Sequence, residues 1–224
     1  MATDVQIAVR KVVSVNPATG ALLRELECAS DSEVHAAVAR ARAAQLKWYE
    51  IGIPRRIAVL RKFQHCLHER KSEIARLITQ EAGKPYVEAL LTEVLVVLDA
   101  AGFLARNAYG LLRDEAVPHG NLAMKTKAGR IVREPYGVIG IISPWNYPFS
   151  IPATESLAAL VAGNTVVVKP SELTSLMALE LASLLYAAGV PKDVFQVVRC
   201  CPKSRASLRA WPSASPPPPS RWWT

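Results

Sequence analysis

An α/β fold, a doubly wound (Rossmann-like) parallel sheet preceded by helices, is predicted by three observations on this 224-residue chain. Val138–Ile142, Thr165–Val168 and Val194–Val198 are short apolar runs rich in β-branched residues, the texture of strands buried on both faces. Between them lie helix-length segments closed by Gly163 and Gly189. The stretch before them, from about residue 30 to 110, carries apolar residues at helical spacing. A β-α-β-α-β order requires parallel strands joined by crossover helices.

The elements follow in chain order. Asn16-Pro17-Ala18-Thr19-Gly20 is a turn between two short extended runs, Val12–Val15 and Leu22–Leu26. Ser30 with Glu33 three residues on reads as a capping box, and Val34, Val38 and Ala41 continue the helix it opens. Pro54 begins a second helix with Ile57, Leu60 and Leu67 on one face. Ser72 is expected to open a third, with Ile74, Leu77 and Ile78 inward, capped by Gly83 and stopped by Pro85. A long helix follows from about Tyr86 to about Tyr109. Asn121–Lys125 and Arg130–Arg133 are expected to form the arms of a hairpin spanning about 119–134. The first sheet strand leads into the loop Ser143–Pro148 and then a helix to Ala162. The second leads into Lys169-Pro170-Ser171-Glu172 and a helix from about Thr174 to Ala188.

Charge and proline divide the chain near residue 198. The whole carries 27 basic and 19 acidic residues, a net +8. Residues 199–224 hold five of the basic groups and no acid, with Pro216 to Pro219 favouring an extended polyproline conformation. The organisation expected is therefore a folded unit over 1–198 and a disordered Pro/Arg/Ser/Trp-rich tail over 199–224. Most of the surplus charge belongs to the tail, so a nucleic-acid partner is not expected. No run of about 18 apolar residues is present to span a membrane, and the N-terminus lacks the apolar core of a secretory signal. Cytoplasmic residence is the expectation. Cys66 shares a helical turn with His65 and His68, too narrow a cluster to close a tetrahedral site, so no metal is expected.

In doubly wound sheets, ligands sit in the loops that follow the strands. Here those loops are Ser143–Pro148 and Lys169–Glu172. The Lys169 ammonium suits ribose hydroxyls or a phosphate, and the Glu172 carboxylate suits ribose hydroxyls. Asn146, between two prolines, is either a turn residue or an oriented amide donor. Neither a G-x-G-x-x-G loop nor a G-x-x-x-x-G-K-[ST] loop occurs in the chain.

The segment YGVIGIISPWNYPFSIPATESLAALVAGNTVVVKPSELT, Tyr136–Thr174, closely resembles the cofactor-binding core of the aldehyde dehydrogenase superfamily. NPATG at 16–20, EAGKP at 81–85 and Glu93 carry the same resemblance, which extends from about residue 14 to about 198. It implies oxidation of an aldehyde to a carboxylic acid with NAD or NADP. In that chemistry a cysteine thiolate attacks the carbonyl, an asparagine amide and a backbone N–H hold the oxyanion, and a glutamate activates the hydrolytic water. By motif position Asn146 matches the oxyanion-hole asparagine. Ile142, Ser143, Pro144, Trp145 and Asn146 match the wall along the cofactor. Lys169, Ser171 and Glu172 match the segment that holds the adenosine ribose. A carboxylate at Glu172 repels a 2′-phosphate and tips the choice toward NAD.

The family's Phe-Thr-Gly-Ser, Glu-Leu-Gly-Gly and Gly-Gln-x-Cys motifs do not occur in the 224 residues, and the pattern departs from the family at about Arg199. The chain is therefore expected to be a truncated front portion, inactive alone. A shifted reading frame would explain the acid-free tail, and a genuinely short protein is the rival explanation. A non-catalytic nucleotide-binding or interaction module is the alternative function. Full-length relatives are homo-oligomeric by implication, whereas this chain is not expected to assemble in that way.

Overall fold

The computed structural model describes residues 11–118 and 128–199. β1 (Lys11–Val15) and β2 (Leu22–Glu27) form an antiparallel ribbon around the expected turn. There Asn16 Oδ1 accepts the Ala18 N–H at 2.9 Å, an Asx turn. α1 (Asp31–Glu50) starts on the predicted capping box. Ser30 Oγ accepts the Glu33 N–H at 3.3 Å, and Glu33 Oε2 accepts the Ser30 N–H at 2.7 Å.

The two helices expected from Pro54 and Ser72 are one continuous helix, α2 (Ile53–Ala82). Ile57, Leu60, Phe63, Leu67, Ile74 and Ile78 make an unbroken buried stripe. That packing outweighs the small helix penalty of serine, so Ser72 is an interior residue rather than a cap. Gly83, in the left-handed region at φ 75°, closes α2 as predicted. The long helix expected next is interrupted. α3 (Tyr86–Ala89) leads through a π-helical turn at Leu90–Val94 into α4 (Leu95–Leu112). Apolar periodicity carries no signal for a one-residue insertion of that kind.

The hairpin expectation is corrected in part. Its second arm forms, as β4 (Gly129–Ile131), but β4 pairs with β3 (Glu115–Val117), which lies before the expected arm. Arg133 fixes that pairing by donating to Glu115 at 2.6 Å and to the Arg113 carbonyl at 3.0 Å. The expected first arm, 121–125, lies outside the described residues.

The parallel sheet is β5 (Val138–Ile142), β6 (Thr165–Lys169) and β7 (Phe195–Val197), in the order β5-β6-β7. α5 (Ser150–Val161) and α6 (Ser175–Ala187) are its crossovers. Val166, Val168 and Phe195 face one way, into a core shared with Phe63, Leu157 and Leu181. Val167 and Val198 face the other way, onto Val34, Ala37 and Ala41 of α1. β6 is thus covered on both faces, as its continuous apolar run requires, whereas β5 is covered only in part, with Ile141 buried and Gly140 and Ile142 exposed.

Helix ends are tied by buried charge. Arg56, 2 % exposed, donates to the Val161 carbonyl at 3.0 Å and to the Tyr49 carbonyl at 2.6 Å. A cation thereby satisfies the carbonyl ends of α5 and α1 together. Gly163 permits this approach: it sits at φ 95°, and a Cβ there would lie 2.7 Å from the Tyr49 ring. Among the described residues β5 is paired on one side only, and Val87, Leu91, Leu95 and Phe103 are exposed.

Candidate functional site: two loops at the end of the parallel sheet

Ile142 ends β5 and Lys169 ends β6, and the register pairs them directly. One further ladder bond, Ser143 N–H to the Lys169 carbonyl at 3.0 Å, carries the pairing past the strand ends. It locks the start of the Ser143–Pro148 loop beside the start of the Lys169–Glu172 loop. The two polar segments singled out in the sequence therefore lie side by side as one candidate site.

On the β6 side, Lys169 Nζ lies 3.6 Å from Glu172 Oε2, with the side chains 16 % and 33 % exposed. This leaves an ammonium and a carboxylate side by side, each with spare hydrogen-bonding capacity. Ser171 is buried and faces inward: its Oγ accepts the Leu173 N–H at 3.3 Å, and its carbonyl accepts the Ser175 hydroxyl at 3.0 Å. It shapes the turn into α6. Next to Lys169 a cavity of about 220 Å³ is lined by Val34, Gly140, Ile142, Val167 and Val198. Its walls are apolar, and Lys169 is the one charged residue that lines it.

On the β5 side, Ile142 and Trp145 are exposed, at 65 % and 58 %. Pro144 and Asn146 are exposed as well, while Ser143 is buried. The Asn146 amide has no hydrogen-bond partner among the described residues. Pro144, Trp145 and Asn146 do not line the 220 Å³ cavity; they extend the site along the sheet end.

Two buried carboxylates that the sequence marked only by resemblance hold these loops from behind. Glu93, on the π-helical turn and fully buried, accepts the Phe149 N–H at 2.9 Å and the Ser150 N–H at 3.0 Å through Oε2. Oε1 accepts from Lys84 Nζ at 2.8 Å. The same ammonium lies 3.7 Å from the centroid of the Tyr147 ring. The Asn146 loop is thus pinned immediately downstream, at the N-terminus of α5. Glu81 does the matching job for α6, accepting the Leu176 and Met177 N–H groups at 2.8 and 3.0 Å and the Ser14 hydroxyl at 2.9 Å. Burial pushes the Glu81 carboxyl above the usual range, against the downward pull of those three bonds. An acidic residue amid the apolar positions of a helix was the available signal for both anchors. Their partners lie up to 96 residues away, which no local pattern reveals.

Among the described residues no group of three His, Cys, Asp or Glu side chains is placed to hold a metal, and no helix is long and apolar enough to cross a membrane.

A parallel α/β unit with polar loops gathered at the carboxyl ends of adjacent strands is the architecture of a nucleotide-binding domain. The chain belongs to the aldehyde dehydrogenase family, whose sequence profile matches residues 5–208. It is 39% identical over 183 residues to malonate-semialdehyde dehydrogenase 2 of Oceanobacillus iheyensis, covering 82% of this chain and 37% of that protein. The NADP-dependent glyceraldehyde-3-phosphate dehydrogenase of Bacillus halodurans C-125, solved with NADP, superposes with a TM-score of 0.82 at 32% identity, covering 91% of this chain and 43% of that one. An enzyme described as a methylmalonate-semialdehyde dehydrogenase from Sinorhizobium meliloti 1021, solved with NAD, gives 0.82 at 29% identity, covering 90% and 40%. The chain spans about two-fifths of the length of these relatives.

Proposed function

We propose that this chain supplies the dinucleotide-binding surface of an NAD(P)-dependent aldehyde-oxidising enzyme. The observation that carries the reading is the Ser143–Lys169 ladder bond, which joins the two candidate loops into one continuous surface. The residues fit a dinucleotide. Lys169 donates to ribose oxygens, Glu172 accepts from ribose hydroxyls, and the cavity walled by Val34, Ile142 and Val198 takes a flat apolar base. Ser143, Pro144 and Trp145 lead from there toward Asn146, giving the rest of the cofactor a wall to lie along. NAD is favoured over NADP because Glu172 would face a 2′-phosphate.

A bound NAD(P) would supply the hydride acceptor for the aldehyde carbon once a nucleophile, the family's cysteine thiolate and none of the residues assigned above, has added to that carbon and put negative charge on its oxygen. Asn146 directs its side-chain N–H at the carbonyl oxygen as negative charge grows there, an electrostatic role worth about 10²–10³ in rate for one such donor. Glu93 and Lys84 keep that loop in place so that the donor needs no reorganisation. The substrate is an aldehyde. Semialdehydes carrying a carboxylate are the class suggested by the named relatives. We further propose cytoplasmic residence, no nucleic-acid partner, a folded unit over 1–198 distinct from the 199–224 segment, and no turnover by the chain alone.

Calorimetric titration with NAD and NADP tests the binding surface. Saturable binding is expected, tighter for NAD, and weakened about tenfold by Lys169→Ala through the loss of one charged contact. Absence of binding, or binding indifferent to Lys169→Ala and Glu172→Ala, refutes the assignment. Formation of NADH on addition of malonate semialdehyde to the isolated chain would overturn the expected inactivity. NAD binding without any turnover leaves a nucleotide-binding module, the second reading.

A further inference from the structure

A second cavity, of about 640 Å³, opens along the C-terminal half of α1, between it, the start of α2 and the turn from α6 to β7, and shares no lining residue with the cavity beside Lys169. Its apolar wall is formed by Ala44, Trp48, Ile51, Val59 and Val194. Trp48 is held rigidly, buried and donating its indole N–H to the Leu160 carbonyl at 2.9 Å. Four charged side chains line the rest: Arg40, Lys47, Arg55 and Asp193. They are not equivalent. Arg40 and Asp193 neutralise each other at 3.5 Å, and Arg40 also donates to Gln196 Oε1 at 2.8 Å. Lys47 and Arg55 are exposed and have no hydrogen-bond or ion-pair partner among the described residues. The cavity therefore presents an aliphatic and aromatic floor with two uncompensated cations.

We propose that this groove is a binding site for a carboxylate-headed aliphatic chain, with the head on Lys47 and Arg55 and the body along Trp48, Ile51 and Val59. The commitment to a carboxylate rests on charge complementarity and on the planar guanidinium of Arg55, which matches a carboxylate with two parallel N–H donors. An aliphatic body follows from the wall, whose contacts reward apolar area and offer little to a polar ligand. The 199–224 segment is a poor occupant, since its five basic residues and lack of acids oppose Lys47 and Arg55. The site is separate from the proposed dinucleotide surface and does not depend on it.

Titration of the full chain with decanoate, followed by calorimetry, tests this. One saturable equivalent is expected, with decan-1-ol at least about tenfold weaker because it lacks the charge. The paired reversals Lys47→Glu and Arg55→Glu should weaken decanoate by about tenfold or more, and Val59→Trp, which fills the groove, should abolish binding. Of the three sites, Lys47 and Arg55 are exposed and Val59 is half-buried at the groove wall, and retained far-ultraviolet circular dichroism marks the variants as folded. Equal affinity for decanol and decanoate, binding unchanged by the charge reversals and by Val59→Trp, or no saturable binding overturns the proposal. Competition between decanoate and NAD also overturns it, because the ligand would then occupy the sheet-end surface.

Discussion

The N-termini of α5 and α6 solve one problem in two ways. Each is buried behind a candidate loop, and each has two N–H groups with no partner inside its own helix. Each receives a carboxylate from a distant helix, Glu93 for α5 and Glu81 for α6. At α5 the carboxylate is balanced by an ammonium, Lys84, which also rests on the Tyr147 ring. At α6 the only further partner among the described residues is the neutral Ser14 hydroxyl. Glu81 consequently bears its burial without a counter-charge, and its proton affinity rises despite the three hydrogen bonds that oppose it. The loop that would meet the reacting carbonyl is anchored by an ion pair, whereas the loop that would hold the ribose is anchored by a carboxyl that tolerates a proton.

The largest effect should come from breaking the α5 anchor. Glu93→Ala strands Lys84, 13 % exposed, together with two buried N–H groups, and should cost about 3–5 kcal/mol in urea unfolding. A cost below that of Glu81→Ala would erase the distinction drawn between the two ends. Glu81→Ala leaves neutral groups unsatisfied and should cost about 2 kcal/mol. Ser30→Ala, at the exposed cap of α1, sets the scale for an ordinary helix start at about 1 kcal/mol by the same measurement.

The smallest and most diagnostic effect is in pH. The Glu81 pKa is raised in the folded state, so the folded protein takes up this proton before the unfolded chain does. Its contribution to stability must then grow as pH falls through the folded pKa toward the ordinary glutamate value. Urea melts from about pH 7 to about pH 5 should show wild type gaining on Glu81→Gln. A difference that is flat or moves the other way would place the Glu81 proton elsewhere. Glu33 has the opposite sign. Its hydrogen bonds to Ser30 hold its carboxyl below the usual range, so its support for α1 is present above the ordinary value and lost as pH falls through the lowered one.

Much of the fold was legible locally. Val138–Ile142 and Thr165–Lys169 could be read as strands from their β-branched apolar runs, but burial on both faces holds for β6 and only in part for β5, where Gly140 and Ile142 are exposed. Ser30 and Glu33 announced α1 because a capping box is complete within four residues. Ser72 misled because a cap residue is recognised by its type, whereas its position here is decided by the continuous stripe from Ile57 to Ile78. The hairpin slipped for a related reason: Glu115–Val117 became the partner of β4 through Arg133, a contact between residues 18 apart.

The candidate site divides along the same line. The sequence by itself determined the chemistry on offer, Asn146, Lys169 and Glu172 in two polar loops, together with the family to which their motifs belong. Only the tertiary structure decided that the loops are neighbours, that Ser171 turns inward, and that Glu81 and Glu93 stand behind them. Residue types and turns are encoded within a few positions of chain. The pairing of Ser143 with Lys169 and of Glu93 with the start of α5 exists only once the strands and helices have packed, because a buried polar group must find its partner wherever the fold brings one.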